Sequence, residues 1–343
     1  MTFLNMEPAK RIVPGEGPLN SPIMIVGEAP GAFEDQSLRP FVGPAGGVLE
    51  QCLHAAGLVR GDIRITNVIK TRPRGNKIEP YFNSTTGTFT AEGMKHVEAL
   101  RNEIAESQPN VIIACGSTAM AALTCSGNRG LKSIMKLRGY FLESLGLDRT
   151  YKVLPTIHPS AALRGNYIYR YIISTDLKKA KLERASPELV RPERKLIYHF
   201  SNVLEAVDWL DFYSHEPVVS CDIEVLNYEL ACIGFSSDPT VACSIPVAQR
   251  WTLQDELLIW RGIQRVLANG ESTKVFQNGI FDIHFLLTRC GIETKGPLHD
   301  TMIAHSVMYP ELKKSLEFLG SVYCGTQAYW KDMAKFTNIK GEA

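Results

Sequence analysis

The sequence predicts an α/β protein of two domains, and three observations carry this. Its 343 residues make about two domains at roughly 150 residues each. Short apolar runs alternate with amphipathic stretches in two blocks. A charged stretch, Asp176 to Lys195, with Pro187 and Pro192, separates those blocks. With 45% hydrophobic and 21% charged residues, the composition excludes a disordered tail, a collagen-like fibre and a coiled coil. No apolar run approaches the roughly 20 residues of a membrane span. Met1 to Arg11 lacks an apolar core followed by a small-residue cleavage site, which argues against a secretory signal. The eight cysteines stand far apart without a CxxC pair. Reduced thiols, and hence a cytoplasmic protein, fit that spacing better than disulfides or a zinc ribbon.

In the first block, Pro22 to Val26 reads as a buried strand ending in a Gly/Pro turn. Gly46 to Leu58 reads as a helix with Val48, Leu49, Cys52 and Leu53 on one face. Ile63 to Ile69 is a strand, and Thr90 to Glu106 a helix with Thr90 as N-cap. Val111 to Ala114 is a strand, Ser117 to Leu123 a helix, and Val153 to Ile157 the last strand before a His-Pro loop. Such alternation predicts a parallel sheet. In the second block, Glu205 to Phe212, Leu257 to Ala268, Asp282 to Cys290 and Thr301 to Tyr309 read as helices. Val218 to Ile223, Leu230 to Phe235 and Val241 to Ile245 are strands close enough in sequence to pair antiparallel.

The net charge of +1 hides an asymmetry. Residues 1–195 hold 26 Lys and Arg against 18 Asp and Glu, or +8, and residues 196–343 hold 11 against 18, or −7. A basic half can meet a polyanion, and an acidic half can hold cations through carboxylates. Solvated surface charge is the plainer alternative.

Loops at the carboxyl ends of parallel strands are where such folds bind ligands. Gly27-Glu28-Ala29-Pro30-Gly31 follows one strand, and Asn67 and His158 stand at the ends of two others. Each alone is an ordinary turn or loop residue. Together, three strand ends can converge on one pocket.

The runs GEAPGAFEDQSLRPFVGPAG (Gly27–Gly46), TNVIKTRPRGN (Thr66–Asn76) and HPSAALR (His158–Arg164) closely resemble the motifs of family 4 uracil-DNA glycosylases, in the same order. The resemblance covers about residues 10–180 and implies a three-layer α/β/α domain with a parallel central sheet. It implies that an extruded uracil is read by its edge in a snug pocket. Phe41 then supplies a flat face for the ring, Asn67 pairs with N3 and O4, and the backbone near Ala29 touches the base. His158 donates to O2, where negative charge builds as the glycosidic bond breaks. Glu28 holds the attacking water or stabilises the cationic sugar. Arg72, Arg74, Lys77 and Arg164 flank these loops as candidate phosphate contacts.

The usual members of that family hold an iron–sulfur cluster on four cysteines. Here Glu7 to Val13 has no cysteine, Thr71 stands where the family has one, the Lys95-His96 region has none, and Cys115 and Cys125 are elsewhere. Four thiolates cannot gather, so no iron–sulfur cluster is expected.

In the second block, Asp222 and Glu224 are two apart on a predicted strand and so share a face. Their repulsion is relieved if a cation sits between them. Asp282 opens a helix after Asn278, and Asp300-Thr301 precedes another. This set, with Lys314-Ser-Leu-Glu-Phe-Leu319, resembles the DEDD-type 3′–5′ exonuclease domains of family A DNA polymerases over about residues 196–335. The resemblance implies an α/β ribonuclease H-like fold with a mixed sheet and two-metal phosphodiester hydrolysis, with magnesium or manganese. Asp222, Glu224 and Asp282 are the candidate ligands, and Asp300 a weaker one that orients the fold. The family's closing Tyr-x-x-x-Asp is not found; Tyr329-Trp-Lys-Asp332 has the wrong spacing. A weak or inactive nuclease is therefore expected, in a chain that is a fragment of something longer.

The expected organisation is a glycosylase domain over 1–180, a linker over 181–196 and an exonuclease-like domain over 197–343. That order resembles the N-terminal part of a phage family A polymerase. The expected function is uracil excision from DNA, in the cytoplasm of a bacterium or infected cell, beside a polymerase or other replication proteins. Two alternatives remain: a non-catalytic uracil- or DNA-binding module that positions a polymerase, and a chain whose main activity is the nuclease.

Overall fold

The computed structural model describes residues 11–124, 133–247 and 250–324. Cys125 and the segment Tyr329 to Asp332 lie outside them. The described chain forms two compact units. One comprises the described parts of Met1–Arg191 and Glu317–Ala343, the other Pro192–Leu316.

The first unit runs β1 (Ile23–Gly27), α1 (Ala32–Ser37), α2 (Pro44–Ala56), β2 (Arg64–Asn67), the hairpin β3 (Phe82–Asn83) and β4 (Thr88–Phe89), and α3 (Ala91–Ser107). It continues with β5 (Val111–Cys115), α4 (Ser117–Thr124), α5 (Ile134–Leu137), β6 (Leu142–Glu143), β7 (Lys152–Thr156) and α6 (Ile168–Glu183). The main sheet has the order β2-β1-β5-β7-β6. Its first four strands are parallel and only the short edge strand β6 is antiparallel.

Both faces of this sheet are buried, which is why its strands read as unbroken apolar runs rather than alternating ones. Met24, Val26, Ile112, Ala114 and Val153 pack with Val97, Leu100 and Ile104 of α3 and Ala119, Met120 and Leu123 of α4. Their neighbours Ile25, Ile113 and Leu154 point to the other face and are also buried. There α6 lies against β5 and β7 and packs on α2.

The elements follow their local signals. Thr90 accepts from the Gly93 amide with its hydroxyl at the start of α3. Pro44 occupies the first turn of α2 after Gly43, and Gly57 ends that helix in the left-handed region. The short helix α1, within the Gly27–Gly46 run, carries no apolar period and was not expected. It is held by Glu34, discussed below.

The second unit holds β8 (Lys195–Ile197), α7 (Val203–His215), β9 (Val218–Leu226), β10 (Glu229–Ser236), β11 (Val241–Pro246) and α8 (Leu253–Ala268). Then come β12 (Thr273–Phe276), α9 (Ile280–Cys290), β13 (Leu298–Asp300) and α10 (Thr301–Met308). Its sheet is mixed, in the order β13-β12-β9-β10-β11-β8. The expected antiparallel set β9, β10 and β11 is flanked by the parallel strands β12, β13 and β8. Those three are only three or four residues long, too short to show a period in sequence. The core gathers Leu210 and Tyr213 of α7, Ile259 and Ile263 of α8, and Ile223, Ile233 and Ile245 of the sheet. Gly262 lets α8 approach α7, because a Cβ there would lie 2.6 Å from the Leu210 side chain.

The last described helix, α11 (Leu316–Tyr323), belongs by its contacts to the first unit from Glu317 onward. Arg138 is fully buried and pairs with the equally buried Asp176 of α6 at 2.7 Å. Its guanidinium also donates to the Ser321 hydroxyl at 2.9 Å and the Ser321 carbonyl at 3.2 Å. Asp176 accepts in turn from Thr156 at 2.7 Å, and Tyr140 donates to the Glu317 carbonyl. No described helix is long and apolar enough to cross a membrane.

Candidate active site at the strand ends of the first unit

Three loops leave the carboxyl ends of β1, β2 and β7 at the same edge of one parallel sheet, β2 beside β1 and β7 beyond β5. The Gly27 carbonyl accepts from the Val68 amide, and the Glu28 carbonyl from the Ile69 amide. These bonds tie the first two loops together beyond the sheet. A cavity of about 370 Å³ opens there, lined among others by Glu28, Ala29, Phe41, Asn67 and His158. The five residues named from sequence for the base and its chemistry thus share one hollow.

The carboxylate of Glu34, buried in α1, shapes the first loop. It accepts from the amides of Gly31 at 3.0 Å, Val42 at 3.1 Å and Gly43 at 2.8 Å. Arg60 donates to the carbonyls of Pro40 and Phe41. Between these clamps Phe41 is held at φ 51°, a left-handed conformation that a bulky residue adopts only when its surroundings impose it. Its ring is buried and lies 5.8 Å from the His158 ring. Gly27 lies against both Phe41 and Asn67. A Cβ there would meet Asn67 Oδ1 at 2.4 Å and the Phe41 ring at 2.5 Å.

The second loop is locked from below. Glu103 of α3 pairs with Arg64 at 2.8 Å and Lys70 at 2.5 Å and accepts from Thr66 at 2.9 Å. Asn67, at the end of β2 between these residues, is buried. Pro73 and Asn76 line the cavity, while their chain neighbours Arg72, Arg74 and Lys77 do not. Arg72 donates to Asn76 at 3.0 Å.

His158 caps a short 3₁₀ turn, Pro159–Leu163, with its ring. Its Nδ1 accepts from the Ser160 amide at 3.2 Å and lies 2.8 Å from the Ser160 hydroxyl. An imidazole nitrogen that accepts carries no proton, so the neutral ring bears its hydrogen on Nε2. Burial first, and the charge of Arg164 second, push its pKa down to about 4 against the opposing pull of Glu34. The ring is neutral at pH 7. Leu163, in the same turn, lines the cavity yet is 43% exposed. Sequence reading passed over it, although an apolar residue beside a His-Pro loop was the available signal.

Thr71 and His96 occupy two of the places that the resemblance gives to cluster cysteines. Thr71 is buried and bridges to Ile12. The His96 ring accepts from the Lys70 amide at 3.3 Å and meets Tyr81 edge-on. This donor set does not fit an iron–sulfur cluster.

In the second unit, Asp222 and Glu224 do share the exposed face of β9. Asp282, buried in the first turn of α9, accepts from the Ile223 amide at 3.0 Å. Burial raises its pKa, with the charges of Asp300 and Glu224 adding to the rise. Asp300 caps α10 and spends its oxygens on four backbone amides: Asn278, Gly279, Met302 and Ile303. Burial would raise its pKa, but these amides outweigh it and hold the carboxyl below its usual range. Among the described residues no three acidic, histidine or cysteine side chains gather as a cation site. The four acids therefore do not fit a closed metal centre.

A parallel α/β sheet with a cavity at its strand ends is the place where such folds bind ligands, and comparisons with known proteins give the family. The chain matches the uracil DNA glycosylase superfamily over residues 14–180 and a 3'-5' exonuclease family over residues 200–338. A type-4 uracil-DNA glycosylase of Thermotoga maritima is 39% identical over 172 residues, covering 50% of this chain and 81% of the relative. One from Pyrobaculum aerophilum is 36% identical over 159 residues, covering 45% and 74%. Through its first unit the chain belongs to the type-4 uracil-DNA glycosylases. A DNA polymerase of Bacillus phage SP01 is 24% identical over 326 residues, 86% of this chain but only 33% of the polymerase. The chain thus spans about a third of that relative.

Proposed function

We propose that the first unit removes uracil from DNA by hydrolysing the N-glycosidic bond. The observation that carries this reading is the convergence of Glu28, Phe41, Asn67 and His158 on one cavity. Its volume of about 370 Å³ falls at the small end of ligand pockets, about 300–1,000 Å³. An extruded uracil lies on Phe41 and presents N3 and O4 to Asn67, with the backbone at Ala29 beside it. As the bond to the sugar C1′ breaks, the electron pair stays with the base. The Nε2 hydrogen of neutral His158 meets the charge that gathers on O2. Glu28 holds the water that adds to C1′ and takes its proton, or, if it only offsets the cationic sugar by its own charge, that proton passes to the departing uracil anion. Exposed Leu163 fills the gap left in the base stack. Arg72, Arg74, Lys77 and Arg164 hold the phosphates at the rim.

Incubation with single-stranded DNA containing uracil, followed by alkaline cleavage of abasic sites, tests this. The wild-type chain should cleave and Glu28→Ala should fall toward background. Equal background from both would overturn hydrolysis in favour of a uracil-binding module.

We further infer that this activity serves DNA replication in the cytoplasm of a bacterium or infected cell, beside a polymerase. The similarity to a phage DNA polymerase supports this. For any magnesium or manganese ion there we propose Asp222, Glu224 and Asp282 as the side chains to approach it, but because they do not gather as a cation site among the described residues, no hydrolytic step is assigned to them. A 3′-labelled strand with magnesium should be digested little, and no faster than by Asp222→Ala.

A further inference from the structure

Thr118 of α4 is 2% exposed, and its hydroxyl donates to Oε2 of Glu28 at 2.5 Å. A hydroxyl has one proton to give. Threonines inside helices commonly donate it to the carbonyl four residues back, as Thr124 does to Met120 at 2.8 Å. Thr118 is the second residue of α4 (Ser117–Thr124), so no carbonyl of its own helix lies four residues behind it. Its proton goes to Glu28.

The turn that presents Thr118 is fixed to the rest of the site. Gly116, at φ 92°, turns the chain from β5 into α4, and its amide donates to the Thr156 carbonyl at 2.9 Å. A Cβ at Gly116 would approach the His158 Cβ to 3.1 Å. One turn therefore abuts the strand end that carries His158 and reaches across to Glu28.

We propose that Thr118 is the positioning residue for Glu28: its hydroxyl pins one carboxylate oxygen and leaves the other toward the cavity for the attacking water. The proposal rests on Glu28 being the group that handles that water. The terminal torsion of a glutamate is broad. A hydrogen bond from a buried, helix-anchored hydroxyl selects one orientation of it. Misplacing a reacting group by about 1 Å can cost on the order of 10²-fold in rate.

The test is uracil excision from single-stranded DNA by the full chain, with kcat and KM measured for the wild type, Thr118→Val, Thr118→Ser, Glu28→Gln and the Thr118→Val/Glu28→Gln double variant. Valine keeps the shape and removes the proton; serine keeps the proton. We expect Thr118→Val to lower kcat by about 10- to 100-fold with KM little changed, and Thr118→Ser to restore most of the rate. In the Glu28→Gln background the valine substitution should cost nothing further, because contacting residues that act as a unit are not additive. If Thr118→Val fails to fold, Thr118→Ala is read in its place. A wild-type rate from Thr118→Val beside a crippled Glu28→Gln overturns the positioning role alone. An equal loss in both backgrounds also overturns it. A wild-type rate from Glu28→Gln overturns the reading of Glu28 and the inference with it.

Discussion

The Ser160 amide reaches Nδ1 of His158, and this one contact sets what the ring can do. The hydrogen sits on Nε2, and with the pKa pushed down to about 4 the donor is a neutral imidazole. Replacing it by alanine should cost about 2–4 kcal/mol of transition-state stabilisation, the scale of losing one donor to a developing anion. Single-turnover excision rates would show it. The same shift makes stability depend on pH. An unfolded histidine takes up its proton near pH 6.5, whereas the folded ring stays neutral down to about 4. Between those values the unfolded chain binds more protons, so stability is full above about pH 6.5 and falls as pH drops toward 4. Denaturant midpoints at pH 7 and pH 5 should show the decline, and His158→Ala should flatten it. The types and order of the site residues were legible from sequence. The tautomer was not, because it depends on where the Ser160 amide points after the 3₁₀ turn forms.

At the scale of elements, the Gly27–Gly46 run is held in shape by Glu34. Three backbone amides converge on its buried carboxylate, and they fix the left-handed Phe41. Glu34→Ala leaves those amides without their partner. Each unpaired buried group costs about 1–3 kcal/mol, so the variant should melt earlier and bind uracil-containing DNA more weakly. An unchanged affinity would show that the Phe41 loop stands without the clamp. Sequence reading took in this run as a motif and missed both α1 and the clamp. A glutamate that caps its own loop looks like any surface acid until the amides are seen around it. Most of the longer strands and helices were read to within about four residues of their bounds, since period and capping are local signals, but α6 was missed, its second half falling in the charged stretch read as separating the two blocks. The short strands β8, β12 and β13 exist only because neighbours pair with them.

For the whole molecule, the segment Lys314 to Leu319 was read with the second domain, by its resemblance to exonucleases. In the structure the helix beginning there packs into the first unit from Glu317 onward. Its Ser321 completes the bonding of buried Arg138, and Asp176 links that pair to Thr156, two residues before His158. Arg138→Met would leave Asp176 buried without its cation, a loss of about 3–5 kcal/mol. A chain stopped at Leu316 should also unfold its first unit at a lower temperature than the longer chain and excise uracil more slowly. Equal melting of the two chains would refute the structural part given to α11.

The amino-acid order alone determined the class of fold in each half and the three strand-end motifs. It also singled out Glu28, Phe41, Asn67 and His158, which the structure brings to one cavity. Apolar period, turn chemistry and loop position are properties of neighbouring residues, and sequence carries them directly. Tertiary structure alone decided that Asp300 gives its oxygens to backbone amides, that Thr118 faces Glu28 across 90 positions of chain, and that a helix late in the sequence completes the bonding of Arg138. Those are pairings between distant segments. Hydrogen-bond satisfaction in a packed interior is settled by which groups meet once the chain has folded, and no local pattern records it.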